Sequence, residues 1–71
     1  METVIRSTDP MVHAENIQRM LRDLADHARQ DLEQVDEPRF QALLETTAEV
    51  LGGLETAFAH YREGKEKAWK R

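Results

Sequence analysis

The chain has no cysteine among its 71 residues and no apolar run close to the length of a membrane span. The first absence excludes a disulfide framework and a zinc cluster built on thiolates. The second excludes a spanning helix of roughly 20 apolar residues. Residues 1–6 also lack the basic start and apolar stretch of a signal peptide. We therefore expect a soluble, cytoplasmic protein.

The residue patterns of common catalytic sites are missing as well. Serine occurs only at Ser7, and neither Thr46 nor Thr47 has a histidine at a helical spacing, so a nucleophilic triad has no support. The Glu-x-x-His motif of carboxylate-bridged dimetal bundles does not occur. We expect no enzymatic activity and no cofactor.

The net charge of −4 is unevenly distributed along the chain. Acidic residues prevail in residues 1–63, which argues against general binding to a phosphate backbone. We therefore consider nucleic acid an improbable partner. The last eight residues are basic, and four of them carry positive charge: Lys65, Lys67, Lys70 and Arg71.

Hydrophobic periodicity is strongest between residues 40 and 61. Seven positions there recur with alternating spacings of four and three residues, which is typical of the seam of a packed helix. These positions are Phe40, Leu44, Thr47, Leu51, Leu54, Phe58 and Tyr61. Leu43, Val50 and Ala57 lie beside the seam and widen it. A stripe this broad indicates more than one neighbouring helix.

A first helix is predicted over about residues 10–35. Asp9 or Thr8 can cap free backbone N–H groups, and Pro10 is tolerated in a first helical turn. The apolar stripe of this helix contains Ile17, Leu21 and Leu24. Residues 1–9 show no helical period and are expected to form a flexible arm.

The second helix is predicted over about residues 38–63. Asp36 or Glu37 can cap it and Pro38 can begin it, and so short a link makes the two helices antiparallel. The seam continues in phase across Gly52–Gly53, so we favour one helix with these glycines on an outer or flanking face over a break at residue 52. Gly64 is the predicted C-terminal stop, with the alternative that the helix continues and Trp69 lies in its last turn.

A hairpin of two helices leaves one side of each apolar stripe uncovered. Small chains without disulfides often obtain the missing burial by oligomerising. We therefore predict that two hairpins form a homodimeric, antiparallel four-helix bundle. The predicted core and dimer interface consists of Ile17, Leu21, Leu24, Phe40, Leu44, Leu51, Leu54, Phe58 and Tyr61.

A metal-binding bundle is the alternative interpretation. Asp23, His27 and Asp31 are each one helical turn apart, and imidazole with carboxylate at that spacing can share a metal ion. The simpler interpretation, which we prefer, is a pair of side chains on the helix surface. We do not predict a metal site.

The basic tail, residues 64–71, is the predicted docking element for a partner. Trp69 lies among Lys65, Lys67, Lys70 and Arg71, and a tryptophan flanked by lysines can anchor on a partner surface. We predict an interaction, adaptor or regulatory protein whose partner is another protein. A weaker possibility is a nucleic-acid regulator that uses Arg19, Arg22 and Arg29 together with the tail.

Overall fold

The computed structural model describes residues 7–69 of the chain, with side chains for residues 7–64. Two helices make up this part of the chain: α1 spans Pro10–Gln34 and α2 spans Pro38–Trp69. They pack against each other as an antiparallel hairpin, which confirms the predicted all-helical hairpin. No helix in the described residues is long and apolar enough to cross a membrane.

Both helix starts follow the predicted chemistry. The Asp9 carboxylate accepts a hydrogen bond of 2.9 Å from the Met11 N–H, and Pro10 occupies the first turn. At α2, Glu37 Oε1 accepts a hydrogen bond of 2.6 Å from the Phe40 N–H. Each cap satisfies a backbone donor that has no partner within its own helix.

The link between the helices is short and is hydrogen-bonded to α2. Val35 adopts an extended conformation and ends α1, while its N–H still donates to Asp31 O at 3.0 Å. The Gln41 side chain donates to the Val35 carbonyl at 2.8 Å. This hydrogen bond fixes the chain reversal.

Helix α2 continues through all three glycines of the chain. None of them has a positive φ, so Gly52 and Gly53 remain helical and the predicted single helix is confirmed. The predicted stop at Gly64 is wrong, because α2 runs on to Trp69. A glycine ends a helix by adopting the left-handed conformation, and here the following Lys-Glu-Lys-Ala sequence consists of good helix formers that favour continuation.

Within the hairpin the helices meet along a seam whose most buried residues are mainly alanines. The buried apolar residues at this contact are Ala14, Ala25 and Ala28 from α1, with Leu44 and Ala48 from α2. The seam continues with alternating spacings of four and three through positions that are all buried or half-buried: 14, 18, 21, 25, 28 and 32 in α1, and 41, 44, 48, 51, 55, 58 and 62 in α2. We call these positions the alanine seam. Small side chains allow the two helices to approach closely.

The hairpin is a single layer of helices about 13 Å thick, little more than the diameter of one helix. Among the described residues no large side chain is fully buried. The hairpin therefore has a contact line rather than an enclosed core.

Candidate interaction surface

Eight large apolar side chains of the described residues remain exposed, and all eight lie outside the alanine seam. Ile17 and Leu24 of α1 are 40% and 43% exposed, and Leu43 and Val50 of α2 are more than half exposed. We define the apolar face as these side chains together with three more from α2: Phe40, Leu54 and Tyr61.

The α2 part of the apolar face is a continuous stripe. Positions 40, 43, 47, 50, 54, 57 and 61 alternate spacings of three and four, which keeps them on one side of a helix. At the centre of this stripe Thr47 Oγ1 donates to the Leu43 carbonyl at 2.7 Å, as its sequence position predicts. The hydroxyl is thereby satisfied without a contact outside the helix.

A groove at the open end of the hairpin shows that both helices contribute to the same face. Its volume is about 390 Å³, and its lining combines residues near the start of α1 with residues near the end of α2. The lining residues are Pro10, His13, Ala14, Ile17, Ala57, Phe58 and Tyr61. Ile17 and Tyr61 therefore belong to one surface.

Charged side chains also connect the helices: Arg22 and Glu15, on the side away from the apolar face, contact Glu55 and Arg62 of the alanine seam. Arg22 lies five residues after Ile17, which places it about 140° around a helix with 3.6 residues per turn. Its guanidinium pairs with Glu55 at 2.7 Å, and this hydrogen bond and charge raise the pKa of Arg22 above its ordinary value. Arg62 pairs with Gln18 at 2.7 Å and with Glu15 at 3.6 Å. The hairpin thus has one apolar and one charged side.

The nine predicted interface residues divide between these two environments. Leu21, Leu44, Leu51 and Phe58 lie in the alanine seam and are buried or half-buried. The other five belong to the exposed apolar face: Ile17, Leu24, Phe40, Leu54 and Tyr61. The predicted set therefore combines two adjacent seams.

The sequence pattern did not identify Ala48 or the polar side chains that close the hairpin. Ala25 and Ala48 are among the most buried residues, while Gln18, Glu55 and Arg62 occupy further seam positions. The alternating spacing of three and four at these positions is the sequence signal that could have identified them. The larger apolar side chains form an adjacent stripe with the same spacing, and that stripe was interpreted as the helix contact instead.

The candidate metal ligands form a simple surface pair. His27 Nε2 lies 3.2 Å from Asp31 Oδ2, and both side chains are substantially exposed. Asp23 lies one turn earlier on the exposed helix surface. No group of three or more histidine, aspartate or glutamate side chains suited to a metal ion occurs in the part of the chain with described side chains.

The three arginines of α1 already have partners within the hairpin. Arg19 donates to Asn16 Oδ1 at 2.6 Å, Arg22 pairs with Glu55, and Arg29 lies 3.3 Å from the Asp26 carboxylate. The two carboxylate contacts, those of Arg22 and Arg29, reduce the positive charge that the α1 surface presents.

The predicted docking residues lie mainly outside the described side chains. The backbone of α2 includes Lys65, Lys67 and Trp69, while Lys70 and Arg71 lie beyond the described residues. The predicted flexible arm lies outside them as well, apart from residues 7–9.

We compared the chain with known proteins through their family models, sequences and solved structures. No family model, curated protein or solved structure matches it. The inferences below therefore rest on the residues and geometry of the hairpin.

Proposed function

We propose that the protein is a homodimer in which two hairpins bury their apolar faces against each other as a four-helix bundle. The observation that carries this proposal is the continuous apolar face, which stays exposed after the two helices have packed. Exposed apolar patches larger than a few hundred Å² are rare on soluble monomers and mark contact surfaces.

The energetics of a single hairpin also support a second copy. Ordering each residue costs roughly 1–2 kcal/mol of conformational entropy, and the alanine seam offers little apolar area to offset it. Leu44 is the only buried apolar residue larger than alanine among the described residues. Burying the apolar face would add favourable free energy of folding, at roughly 25 cal/mol for each Å² of apolar surface removed from water.

The size of the face fits an interface between two proteins. The hairpin extends about 51 by 25 Å in its two longer dimensions, which is ample for the roughly 800 Å² per partner buried in a standard interface. A self-complementary face on each copy forms a closed dimer about a two-fold axis.

The biological role that we propose is interaction or regulation rather than catalysis. Several charged groups of the hairpin form surface pairs, such as Arg22 with Glu55 and His27 with Asp31. These four side chains each have a neighbour of opposite charge or a hydrogen-bond partner on the surface. The basic segment from Lys65 to Arg71, with Trp69 within it, is the proposed contact for a further protein.

A pair of variants tests the homodimer. Leu54→Asp places a carboxylate on the apolar face, whereas Thr56→Asp places the same group on an exposed residue 200° around the helix. An unpaired charge in an apolar contact is costly, so we expect Leu54→Asp to weaken dimerisation at least about 100-fold, or about 2.7 kcal/mol.

Sedimentation velocity and circular dichroism measure the two consequences. Thr56→Asp should remain a dimer with the helical signal of the unmodified chain. Leu54→Asp should sediment as a monomer and lose helical signal at low concentration. Equal dimer affinity for both variants would contradict the proposal.

A further inference from the structure

The groove at the open end of the hairpin lies where the chain enters α1. Three of its lining residues, Pro10, His13 and Ala14, belong to the first turns of α1. The described part of the chain begins at Ser7, shortly before this helix. The residues that precede Ser7 therefore join the hairpin at the end that carries the groove.

Two hydrogen bonds hold the residues before α1 on the groove side of this helix. His13 Nε2 donates to the Ser7 carbonyl oxygen at 2.7 Å, and His13 itself is half-buried and lines the groove. The Asp9 N–H donates to Ser7 Oγ at 3.0 Å, which fixes the turn between these two residues. Residues 1–6, which we call the N-terminal segment, are therefore attached at the rim of the groove.

The groove offers its occupant an almost wholly apolar surface. Ile17 and Tyr61 in its lining remain substantially exposed, and removing such surface from water is favourable. The volume of the groove is about 390 Å³, whereas a cavity of about 150 Å³ binds one benzene molecule. The groove therefore has room for two aliphatic side chains.

The N-terminal segment contains two adjacent apolar side chains of suitable size. Val4 and Ile5 lie three and two residues before Ser7. An extended chain spans at most about 3.6 Å per residue, so both Cα atoms lie within about 11 Å of the Ser7 Cα atom. The groove extends along α1 from Pro10 to Ile17, which is about 10 Å at 1.5 Å per residue. Both side chains can therefore reach the groove without a change in the hairpin.

The N-terminal segment has two advantages over a separate molecule as the occupant. Its point of attachment is already ordered by the hydrogen bonds of Ser7, so only the few residues from Val4 to Arg6 lose conformational freedom when it binds. A group on a short tether also binds as though it were present at millimolar concentration. A second hairpin has neither advantage at this end of the apolar face.

We propose that the N-terminal segment of each chain folds over the groove of the same chain and packs Val4 and Ile5 against its apolar lining. This inference goes beyond the proposed homodimer and does not depend on it. Leu24, Val50 and Leu54 do not line the groove and stay exposed, so they remain available to a second hairpin. In the homodimer the second copy contacts the N-terminal segment at this end of the apolar face.

Nuclear Overhauser effects between methyl and aromatic protons test this contact in the full chain, because they appear only between protons that lie close together. We expect effects from the methyl groups of Val4 or Ile5 to the ring of Tyr61. The effect between the methyl groups of Ala28 and Leu44, which pack together inside the hairpin, is the internal control. A sample that shows the control effect without any effect from the N-terminal segment to the groove would overturn the proposal.

Isotope-filtered spectra of a mixture of labelled and unlabelled chains identify the chain that supplies the segment. Effects within one chain support the proposal. Effects that occur only between chains overturn it, because they would show that the second copy covers the groove. Sedimentation velocity of the same sample gives the mass, so a monomer that retains the effects within one chain would overturn the homodimer alone.

A pair of double variants gives a second readout in the same spectra. Val4→Ser with Ile5→Ser removes both apolar side chains, and Glu2→Ser with Thr3→Ser is the matched control within the N-terminal segment. We expect the first pair to shift the ring signals of Tyr61 and the control pair to leave them unchanged. Ring signals that respond equally to both double variants, or to neither, would contradict the proposed contact.

Discussion

Ile17 of α1 and Tyr61 of α2 line one groove, yet they remain 40% and 42% exposed. The hairpin thus brings the two side chains to a common surface without removing them from water. Alanines and four larger apolar side chains make the contact within the chain, and the exposed apolar side chains lie beside it. This division of roles is the basis of the proposed dimer.

The alanine seam should tolerate little added volume. Ala48 is 6% exposed and packs with Ala28 and Leu44. We expect Ala48→Leu to push the helices apart and reduce the free energy of unfolding by about 1–3 kcal/mol, measured by urea denaturation. Ala42→Leu, at an exposed position of the same helix, is the matched control and should change it far less. Equal effects of the two variants would show that the seam is not closely packed.

Gly53 should be a site where alanine stabilises the protein. The residue is exposed and helical, and a Cβ atom there would have nothing within 4 Å. Gly53→Ala removes a helix penalty of about 1 kcal/mol, so we expect the Tm to rise by about 4–8 °C. Thermal unfolding followed by circular dichroism measures this change. A lower Tm would indicate that another surface packs closely against this side of α2.

The cap at the start of α1 gives a third stability prediction. Asp9→Ala removes the carboxylate that accepts from the Met11 N–H, and we expect a loss of about 1 kcal/mol in the free energy of unfolding. Asp9→Asn keeps an oxygen acceptor and should retain most of the stability. If the two variants were equally destabilised, the hydrogen bond would not be the source of the effect. Chemical denaturation at matched protein concentrations gives the comparison.

The helix boundaries that depend on local chemistry could be predicted from the sequence. Asp9 with Pro10 marks the start of α1, and Glu37 with Pro38 marks the start of α2, because capping and proline geometry act within one turn. The stop at Gly64 could not be predicted in the same way. Glycine permits a helix to end but does not require it, and the residues after it favour helix.

The division of the apolar residues between two seams could not be predicted from periodicity. Leu44 and Leu51 belong to the alanine seam, whereas Phe40 and Leu54 belong to the apolar face, although all four share one heptad pattern. A hydrophobic pattern of one period does not say which of two adjacent stripes faces the neighbouring helix. The buried stripe is the one that carries Ala14, Ala25, Ala28 and Ala48.

Sedimentation equilibrium of the unmodified chain over a range of micromolar concentrations tests the homodimer most directly. The chain has a mass of 8.3 kDa, and a homodimer should converge on twice this value while its helical signal is retained. A constant mass of 8.3 kDa with full helical signal would show that the hairpin is stable with its apolar face exposed, and would contradict the proposed homodimer.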